Sequence, residues 1–400
     1  MTNADIPNVT IKRRRAQPFF NRHPWVFAGA IAGVEGNPAP GADVIVRASD
    51  GKFIGHGLFN PHSNIRVRLY SWDEAMTLDS ELWSSRIAEA VAMRDSLAPH
   101  AGDRARRLIF SESDGLSGLT VDQYGDWLLV QLTSLALANR REALFDLLEH
   151  HVSPRGIVLR TEKGIREQEG LELRDGLVRG EKPPGTIEIV ENGLTFRVDV
   201  STGQKTGCYL DQKENRAAVA GHVRGKRVLD LFCYSGGFGI TAAKLGEAES
   251  VLCVDSSEPA LKLAAANAEA NGVSDRVSCE RSDAFKFLQN ARSRGAQFDV
   301  VILDPPKMAR RQAGLSKALR GYHSLNEQAL SVLRPGGLLV TCSCSGHVSA
   351  EAFEQMLAGV ATASGRIIRI LESRGQAADH SVSPNCPENR YLKSLICRVG

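Results

Sequence analysis

From about Ile187 onward the sequence alternates short apolar runs with helical segments, and this alternation constrains the fold more than any other feature. Residues 227–232, 250–255, 277–281, 298–304 and 337–342 have the length and apolar content of buried strands. Helical spacing separates them at 240–245, 258–271, 284–291 and 321–333. Strand–helix–strand repeats of this kind require a mostly parallel sheet covered by helices, an α/β doubly wound domain. Right-handed crossovers then bring the carboxyl ends of the strands to one edge, where ligands bind in such folds.

The preceding residues follow other patterns. Up to about residue 75, β-type runs at 42–47, 53–57 and 65–72 are divided by Asn37-Pro38, Ser49-Asp50-Gly51 and Asn60-Pro61, which predicts a small all-β barrel. Spacing turns helical over 80–97, with Leu82, Ile87, Val91 and Met93 among charges. Strand-like runs at 107–111, 119–122 and 127–133, a helix over 139–151 and a strand at 157–160 then predict an α+β middle domain. Lys182-Pro183-Pro184-Gly185 reads as a linker, since two prolines break any helix and remove two backbone donors. The expected domains are therefore 1–75, 76–186 and 187–400.

Charge is close to balanced, with Lys+Arg 49 against Asp+Glu 46 and a net +3, so bulk charge does not mark a nucleic-acid binder. Its distribution is uneven. Lys12, Arg13, Arg14, Arg15 and Arg22 face only Asp5 within the first thirty residues, a local net of +4 (5 − 1) that suits a polyanion. No run approaches the roughly 20 apolar residues of a membrane span, and no secretory signal is visible, so the expected location is the cytoplasm. The 8 cysteines all lie in the second half without any C-x-x-C pair, which argues against a zinc site or a disulfide framework. Reduced thiols remain as small core residues or nucleophiles.

The chemistry gathers at the strand ends. The first strand of the alternating region runs through Asp230 into Leu231-Phe232-Cys233-Tyr234-Ser235-Gly236-Gly237-Phe238-Gly239. Glycines at this turn let the backbone approach a ligand, but their order is not the G-x-G-x-x-G of a dinucleotide site. Asp230, Asp255 at the next strand end and Asp283 after the third suit a nucleoside: ribose hydroxyls need acceptors, and so does an adenine amino group. Together they point to S-adenosylmethionine. The fourth strand ends in Asp304-Pro305-Pro306-Lys307, of the [DN]-PP-x type with which class I methyltransferases hold a target base. The fifth ends in Thr341-Cys342-Ser343-Cys344-Ser345-Gly346. A thiol beside such a carboxylate and a methyl donor points to methylation at carbon 5 of a cytosine, because that carbon is a poor nucleophile until a thiolate adds to carbon 6. Cys342 and Cys344 fall on the same side of an ideal strand, so periodicity alone does not separate them.

The residues also resemble a known family, the ribosomal RNA large subunit methyltransferase I family, which makes 5-methylcytidine in large-subunit rRNA. Arg22-His23-Pro24-Trp25-Val26-Phe27-Ala28-Gly29-Ala30 is similar to the opening of its RNA-binding PUA domain. Glu112-Ser113-Asp114-Gly115-Leu116-Ser117-Gly118-Leu119-Thr120-Val121-Asp122 resembles its middle-domain signature. Lys205-Thr206-Gly207-Cys208-Tyr209-Leu210-Asp211-Gln212 resembles its K-T-G-x-Y-L-D-Q segment, and Ser343-Cys344-Ser345-Gly346 its S-C-S-G. Gln376 to His380 and Tyr391-Leu392-Lys393 are similar to it as well. Cys208 departs from the pattern, as does Lys213-Glu214-Asn215-Arg216, where the family has more arginines. Asp304-Pro305-Pro306-Lys307 lacks the cysteine found there in the wider cytosine-5 group, so no second thiol assists product release.

The resemblance implies a class I (Rossmann-like) methyltransferase domain behind a PUA barrel and a small α+β domain, with Cys344 as nucleophile and Asp304 beside it. The expected contacts to S-adenosylmethionine are Tyr209, Asp211, Asp230, Cys233, Gly236, Asp255, Ser256, Asp283 and Asp304. Those to RNA are Arg13, Arg14, Arg15, Arg22 and Lys307. Asp379 and His380 are candidates for the base that removes the carbon-5 proton, a surface loop being their plainer reading. Expected partners are large-subunit rRNA and, as an assembly to test, a second copy of the chain. Methylation at a base nitrogen, or an RNA-binding scaffold without turnover, are the competing readings.

Overall fold

In the computed structural model, residues 6–97, 104–161, 163–200, 208–309 and 311–400 are described; Lys205, Thr206 and Gly207 of the K-T-G motif lie outside them. The chain divides into two compact units, Met1–Pro184 with Asp379–Asn389, and Gly185–Ala378 with Arg390–Gly400.

The first unit holds two sheets. Strands β1 (Asn8–Ile11), β2 (Trp25–Phe27), β3 (Ile31–Val34), β4 (Asp43–Arg47), β5 (Phe53–Phe59) and β6 (Ile65–Ser71) form one in the order β2-β6-β5-β4-β1-β3. Val9, Ile11, Val26, Val44, Val46 and Val67 fill its core. The second sheet has the order β11-β10-β9-β8-β7, from β7 (Ala105–Phe110), β8 (Leu119–Tyr124), β9 (Trp127–Leu132), β10 (Gly156–Leu159) and β11 (Gly176–Gly180). Helix Ser80–Leu97 matches the spacing of its apolar residues, burying Trp83, Ile87 and Ala90. The helix expected over 139–151 is instead two, Leu135–Asn139 and Arg141–Val152, with the break at Arg140.

A buried ionic network explains two of the sequence motifs. Arg68 reaches Glu112 and Glu169, each at 3.3 Å, and all three side chains are less than one-tenth exposed. Glu112 also accepts from the Trp25 indole (2.9 Å) and Ser117 (2.8 Å). Burial works against this carboxylate, but Arg68, Ser117 and Trp25 outweigh it and hold it below the usual range. The Trp25 motif and the Glu112 signature are thus two sides of one contact. Removing one member of a buried pair typically costs about 3–5 kcal/mol, because the other is left uncompensated.

Asp379–Asn389 joins this unit for a similar reason, which divides the continuous domain expected over 187–400. The Arg107 amide donates to Asp379 Oδ2 (3.1 Å), and Arg94 donates to the Asp379 carbonyl (2.8 Å) and pairs with Asp114 (2.6 Å). His380 Nδ1 lies 2.8 Å from Asp379 Oδ1, and both residues are 2% exposed. They hold this unit together and are not a surface loop.

The second unit begins with a hairpin, β12 (Thr186–Glu191) and β13 (Leu194–Asp199). Its main sheet contains β14 (Arg227–Leu231), β15 (Ser250–Asp255), β16 (Val277–Arg281), β17 (Phe298–Leu303), β18 (Leu333–Ser343), β19 (Ile368–Arg374) and β20 (Lys393–Val399), ordered β16-β15-β14-β17-β18-β20-β19. Pairing is parallel from β16 to β18, and β20 is antiparallel to both neighbours. Phe287, Tyr322, Leu325, Phe353 and Leu357 pack from helices onto Leu229, Val301 and Leu339 of the sheet. Helix Glu258–Ala270 and its C-cap hold the hairpin through polar side chains: Asn267 accepts from the Arg197 amide (2.7 Å) and Asn271 from the Thr195 amide (3.0 Å). Among the described residues no helix is long and apolar enough to cross a membrane.

Candidate active site

The turn after β14 is built on strained backbone. Phe232 (φ 62°), Tyr234 (φ 50°) and Gly236 (φ 83°) are all left-handed, a conformation disfavoured for the two aromatic residues and found where surroundings enforce it. Asp230 enforces part of it: its Oδ2 accepts from the Gly239 amide (2.9 Å), tying the strand end to the first turn of helix Gly237–Lys244. A Cβ on Gly239 would lie 2.6 Å from Cys253 Sγ, and one on Gly236 2.7 Å from Ile240 Cδ1, so both positions exclude larger residues. Asp230 is 1% exposed, and burial pushes its carboxyl up to about 8. Among the described residues no donor reaches its Oδ1, which leaves an acceptor in this floor for a ligand. The Cys233 side chain is buried against Cys253, so this residue can offer a ligand only its backbone.

The next two strand ends carry the other acidic groups. Asp255 accepts from the Tyr234 amide (3.0 Å) and the Ser257 amide (2.8 Å), one on each oxygen, so its carboxylate is fixed in place with lone pairs remaining. Ser256 beside it is exposed. Asp283 is the N-cap of helix Ala284–Ser293: Oδ1 accepts from the Phe285 and Lys286 amides, both at 3.1 Å, while Oδ2 takes no part in the cap. A carboxylate floor with an unused buried acceptor, below a turn that admits no side chain at Gly236 or Gly239, fits the cationic methionyl group and ribose of S-adenosylmethionine.

Residues before β14 close one side. Arg216 pairs with Glu191 through Nη1 (2.7 and 2.9 Å), with both side chains buried, and donates from Nη2 to the Tyr209 carbonyl (2.9 Å). Its guanidinium lies where a Cβ on Gly237 would be, 2.6 Å from Nε. Of the residues set apart above as departures from the family pattern, Arg216 is thus a buried brace of the glycine turn, and Asn215 is buried too, donating to Gln212 Oε1 (2.6 Å) and the Gly375 carbonyl (3.0 Å). Tyr209 meets Tyr234 edge to face at 5.6 Å between ring centroids. Asp211 accepts from the Tyr391 hydroxyl (2.6 Å), and Gln212 donates to Asp304 Oδ1 (3.0 Å).

The ends of β17 and β18 bring Asp304 and Cys344 together. Cys344 Sγ lies 4.0 Å from the carbonyl of Pro305, and burial together with Asp304 and Cys344 pushes the Tyr209 phenol up. The two cysteines left open by periodicity have different surroundings. Cys342 lies inside β18, 0% exposed, paired across the ladder with Ser394 and 3.3 Å from its hydroxyl. Burial and Asp304 push its thiol well above the ordinary range. β18 ends at Ser343, so Cys344 leaves the ladder and is half-buried. Lys393, absent from the expected set, is 7% exposed and donates to the carbonyls of Ser345 (2.7 Å) and Tyr391 (2.8 Å).

In the first unit Arg13, Arg14, Arg15 and Arg22 are exposed, and none has a carboxylate partner among the described residues; Lys307 in the second is exposed too. His23, Cys386 and Glu388 place ligand-type atoms within 4.8 Å of one another, a group that sequence spacing could not reveal. The Trp25 amide donates to His23 Nδ1 (3.2 Å), which puts the ring proton on Nε2 facing Glu388. That nitrogen is a donor to the carboxylate and not a metal ligand.

If Asp255 holds the ribose, Asp255→Ala removes a charged acceptor worth about 1.5–3 kcal/mol. Titration calorimetry should then show S-adenosylmethionine binding about ten- to a hundredfold more weakly. Unchanged affinity would contradict the assignment.

Comparison with known proteins agrees with this geometry. A family model described as S-adenosylmethionine-dependent methyltransferase matches residues 166–381, and one for PUA-like domains matches residues 9–72. A ribosomal RNA large subunit methyltransferase I of Erwinia tasmaniensis is 40% identical over 390 residues, covering 97% of this chain and 98% of its own. A protein of the same name from Photobacterium profundum is 40% identical over 394 residues, covering 98% and 99%. A structure from Streptococcus mutans described as a SAM-dependent methyltransferase shares the fold with a TM-score of 0.84 at 20% identity, over 98% of this chain and 99% of its own. A methyltransferase structure complexed with SAH shares it with a TM-score of 0.85 at 21% identity, over the same fractions. The strand-end acids, the braced glycine turn and these full-length relatives lead to one conclusion: the chain belongs to the ribosomal RNA large subunit methyltransferase I family of S-adenosylmethionine-dependent enzymes.

Proposed function

We propose that this chain methylates carbon 5 of a cytosine in large-subunit ribosomal RNA, through a transient bond between Cys344 and carbon 6. The observation that carries this reading is a half-buried thiol just beyond β18, 4.0 Å from the Pro305 carbonyl, in the loop that Asp304 opens just beyond β17. A methyltransferase acting on a base nitrogen needs a carboxylate there but no thiol.

The chemistry follows from what each group can do. The Cys344 thiolate adds to carbon 6, and the electron pair of the carbon 5–carbon 6 bond moves into the ring. The protonated Asp304 carboxyl donates to ring N3 and stabilises that charge, while Gln212 keeps the carboxyl turned toward the cleft. S-Adenosylmethionine, when bound, supplies the electrophilic methyl group that the activated carbon 5 takes up. Loss of the carbon-5 proton then restores the double bond and expels Cys344. Asp379 and His380 are not offered as the base, because both are sealed within the first unit.

RNA is held at a second place in this reading. Residues 1–75 act as the RNA-binding PUA module, 76–186 as a connecting domain and 187–378 with 390–400 as the catalytic domain. Arg13, Arg14, Arg15 and Arg22 contact phosphates, and Lys307 the nucleotide near the target. Replacing the four arginines by alanine should lower the slope of log affinity against log salt by about 0.7 for each phosphate no longer neutralised. An unchanged slope would place the phosphate-binding groups elsewhere.

The covalent step has a direct test. RNA carrying 5-fluorocytosine at the target has no carbon-5 proton to lose, so the adduct should persist through denaturing electrophoresis. Cys344→Ala should abolish both turnover and the adduct while retaining cofactor binding, and Cys342→Ala should retain substantial activity. An adduct that survives in Cys344→Ala and vanishes in Cys342→Ala would exchange the two roles. Methyl transfer without any adduct would favour the nitrogen-methylating alternative.

A further inference from the structure

Lys393 is a buried cation without an evident counter-ion. It sits opposite Ser343 in the antiparallel pairing of β18 with β20, at the point where β18 ends and Cys344 follows. Its Nζ is fixed by two carbonyls, those of Ser345 and Tyr391, and among the described residues no carboxylate pairs with it. Two carbonyl dipoles replace only part of the hydration an ammonium loses on burial, and buried cations are otherwise paired with an anion. The Ser345 carbonyl belongs to the residue next to Cys344, so the bond that fixes Nζ holds it one residue along the chain from the nucleophile.

We propose that Lys393 is a positioning residue whose ammonium is the counter-ion of the Cys344 thiolate. The inference rests on reading Cys344 as the nucleophile. The step is a proton loss at the site: the Cys344 S–H bond is broken and its proton passes to solvent water, while Lys393 stays an ammonium, so a thiol beside an ammonium becomes a thiolate beside an ammonium. When Cys344 adds to carbon 6 its charge passes to the base, and when it is expelled it returns to the same partner. Burial pushes the Lys393 ammonium down to about 8, with Cys344 working against that shift and Lys307 adding to it. The ammonium is therefore favoured when Cys344 is a thiolate. Asp304 and Lys307 after β17, Tyr209 before β14, Tyr322 on helix Leu315–Val332 and Cys342 on β18 are the other titratable or charged groups around this pair. Before Asp304 takes up the proton it gives to ring N3, its carboxylate bears the opposite sign to Lys393 and would disfavour a thiolate standing alone.

Alkylation by iodoacetamide, followed by mass spectrometry of the Cys344 peptide in the full-length protein, reads the thiolate without RNA. In the wild-type protein at pH 7, Cys344 should react at least about tenfold faster than Cys279, which is more exposed but whose thiol is pushed up by its hydrogen bond to Cys253 and by burial. In Lys393→Met the pH of half-maximal alkylation should rise by about one to three units, the effect of losing one adjacent opposite charge. Lys393→Arg should restore most of that shift, which a lysine needed only for packing would not predict. A Cys279 that reacts as fast as Cys344 in the wild type, or a midpoint that does not move in Lys393→Met, would overturn the proposal. The two readings fail separately: a reactive Cys344 that never forms an RNA adduct sinks the carbon-5 mechanism alone, whereas full adduct formation in Lys393→Met with unaltered alkylation sinks the counter-ion alone.

Discussion

Parallel strands joined by right-handed crossovers all leave their sheet at the same edge, and everything at the candidate site depends on that constraint. β14, β15, β17 and β18 run parallel, so Asp230, Asp255, Asp304 and Cys344 converge although more than a hundred residues separate the first from the last. The edge alone would not make a site, because strand exits are free to turn in many directions. Asp230 bonded to the Gly239 amide and Asp255 bonded to the Tyr234 and Ser257 amides fix the first two exits. Two prolines fix the fourth. Left-handed backbone at Phe232 and Tyr234 costs on the order of 1–3 kcal/mol each. These carboxylate–amide bonds and the buried Arg216–Glu191 pair are what offset it.

Carboxylates are divided among different tasks by their surroundings. Asp283 uses one oxygen to cap a helix, Asp255 is satisfied by amides on both sides, and Asp230 is so deeply buried that its carboxyl rises to about 8. The cysteines are sorted in the same way. Cys342 is sealed in the ladder against Ser394, whereas Cys344 is released by the end of β18 into reach of Pro305 and of the loop that carries Asp304. A difference of two residues separates a thiol sealed inside the ladder from one half-buried just beyond the end of the strand.

Much of this arrangement could be read from the sequence, and what could not has physical reasons. The parallel core was legible because buried strands are continuous apolar runs, and its acidic ends because each sits where such a run stops. β19 was not: Ile368–Arg374 carries two arginines and a glutamate, and most of its residues are exposed at the edge of the sheet, so it shows no apolar run. Nor were β1, β2 and β3, each of only three or four residues. Long-range charge pairs were invisible as well. Arg216 reads only as one member of a run with fewer arginines than the family pattern until Glu191 is brought to it, and Asp379 and His380 read as a loop until Arg94 and Arg107 enclose them. Lys393 carried no signal beyond its place in a familiar tripeptide, since a lysine in a strand is ordinarily a solvent-facing residue. Register decided the rest: period two puts Cys342 and Cys344 on one face, and only the residue at which the strand ends tells them apart.

The central claim is that the thiol at the end of β18 serves methylation at carbon 5. Nucleoside mass mapping of large-subunit rRNA, from cells lacking this protein and from the same cells given it back, tests that claim most directly. The account predicts that one 5-methylcytidine disappears, returns with the wild-type chain and does not return with Cys344→Ala. Loss of a nitrogen-methylated nucleoside with 5-methylcytidine unchanged, or restoration by Cys344→Ala, would contradict it.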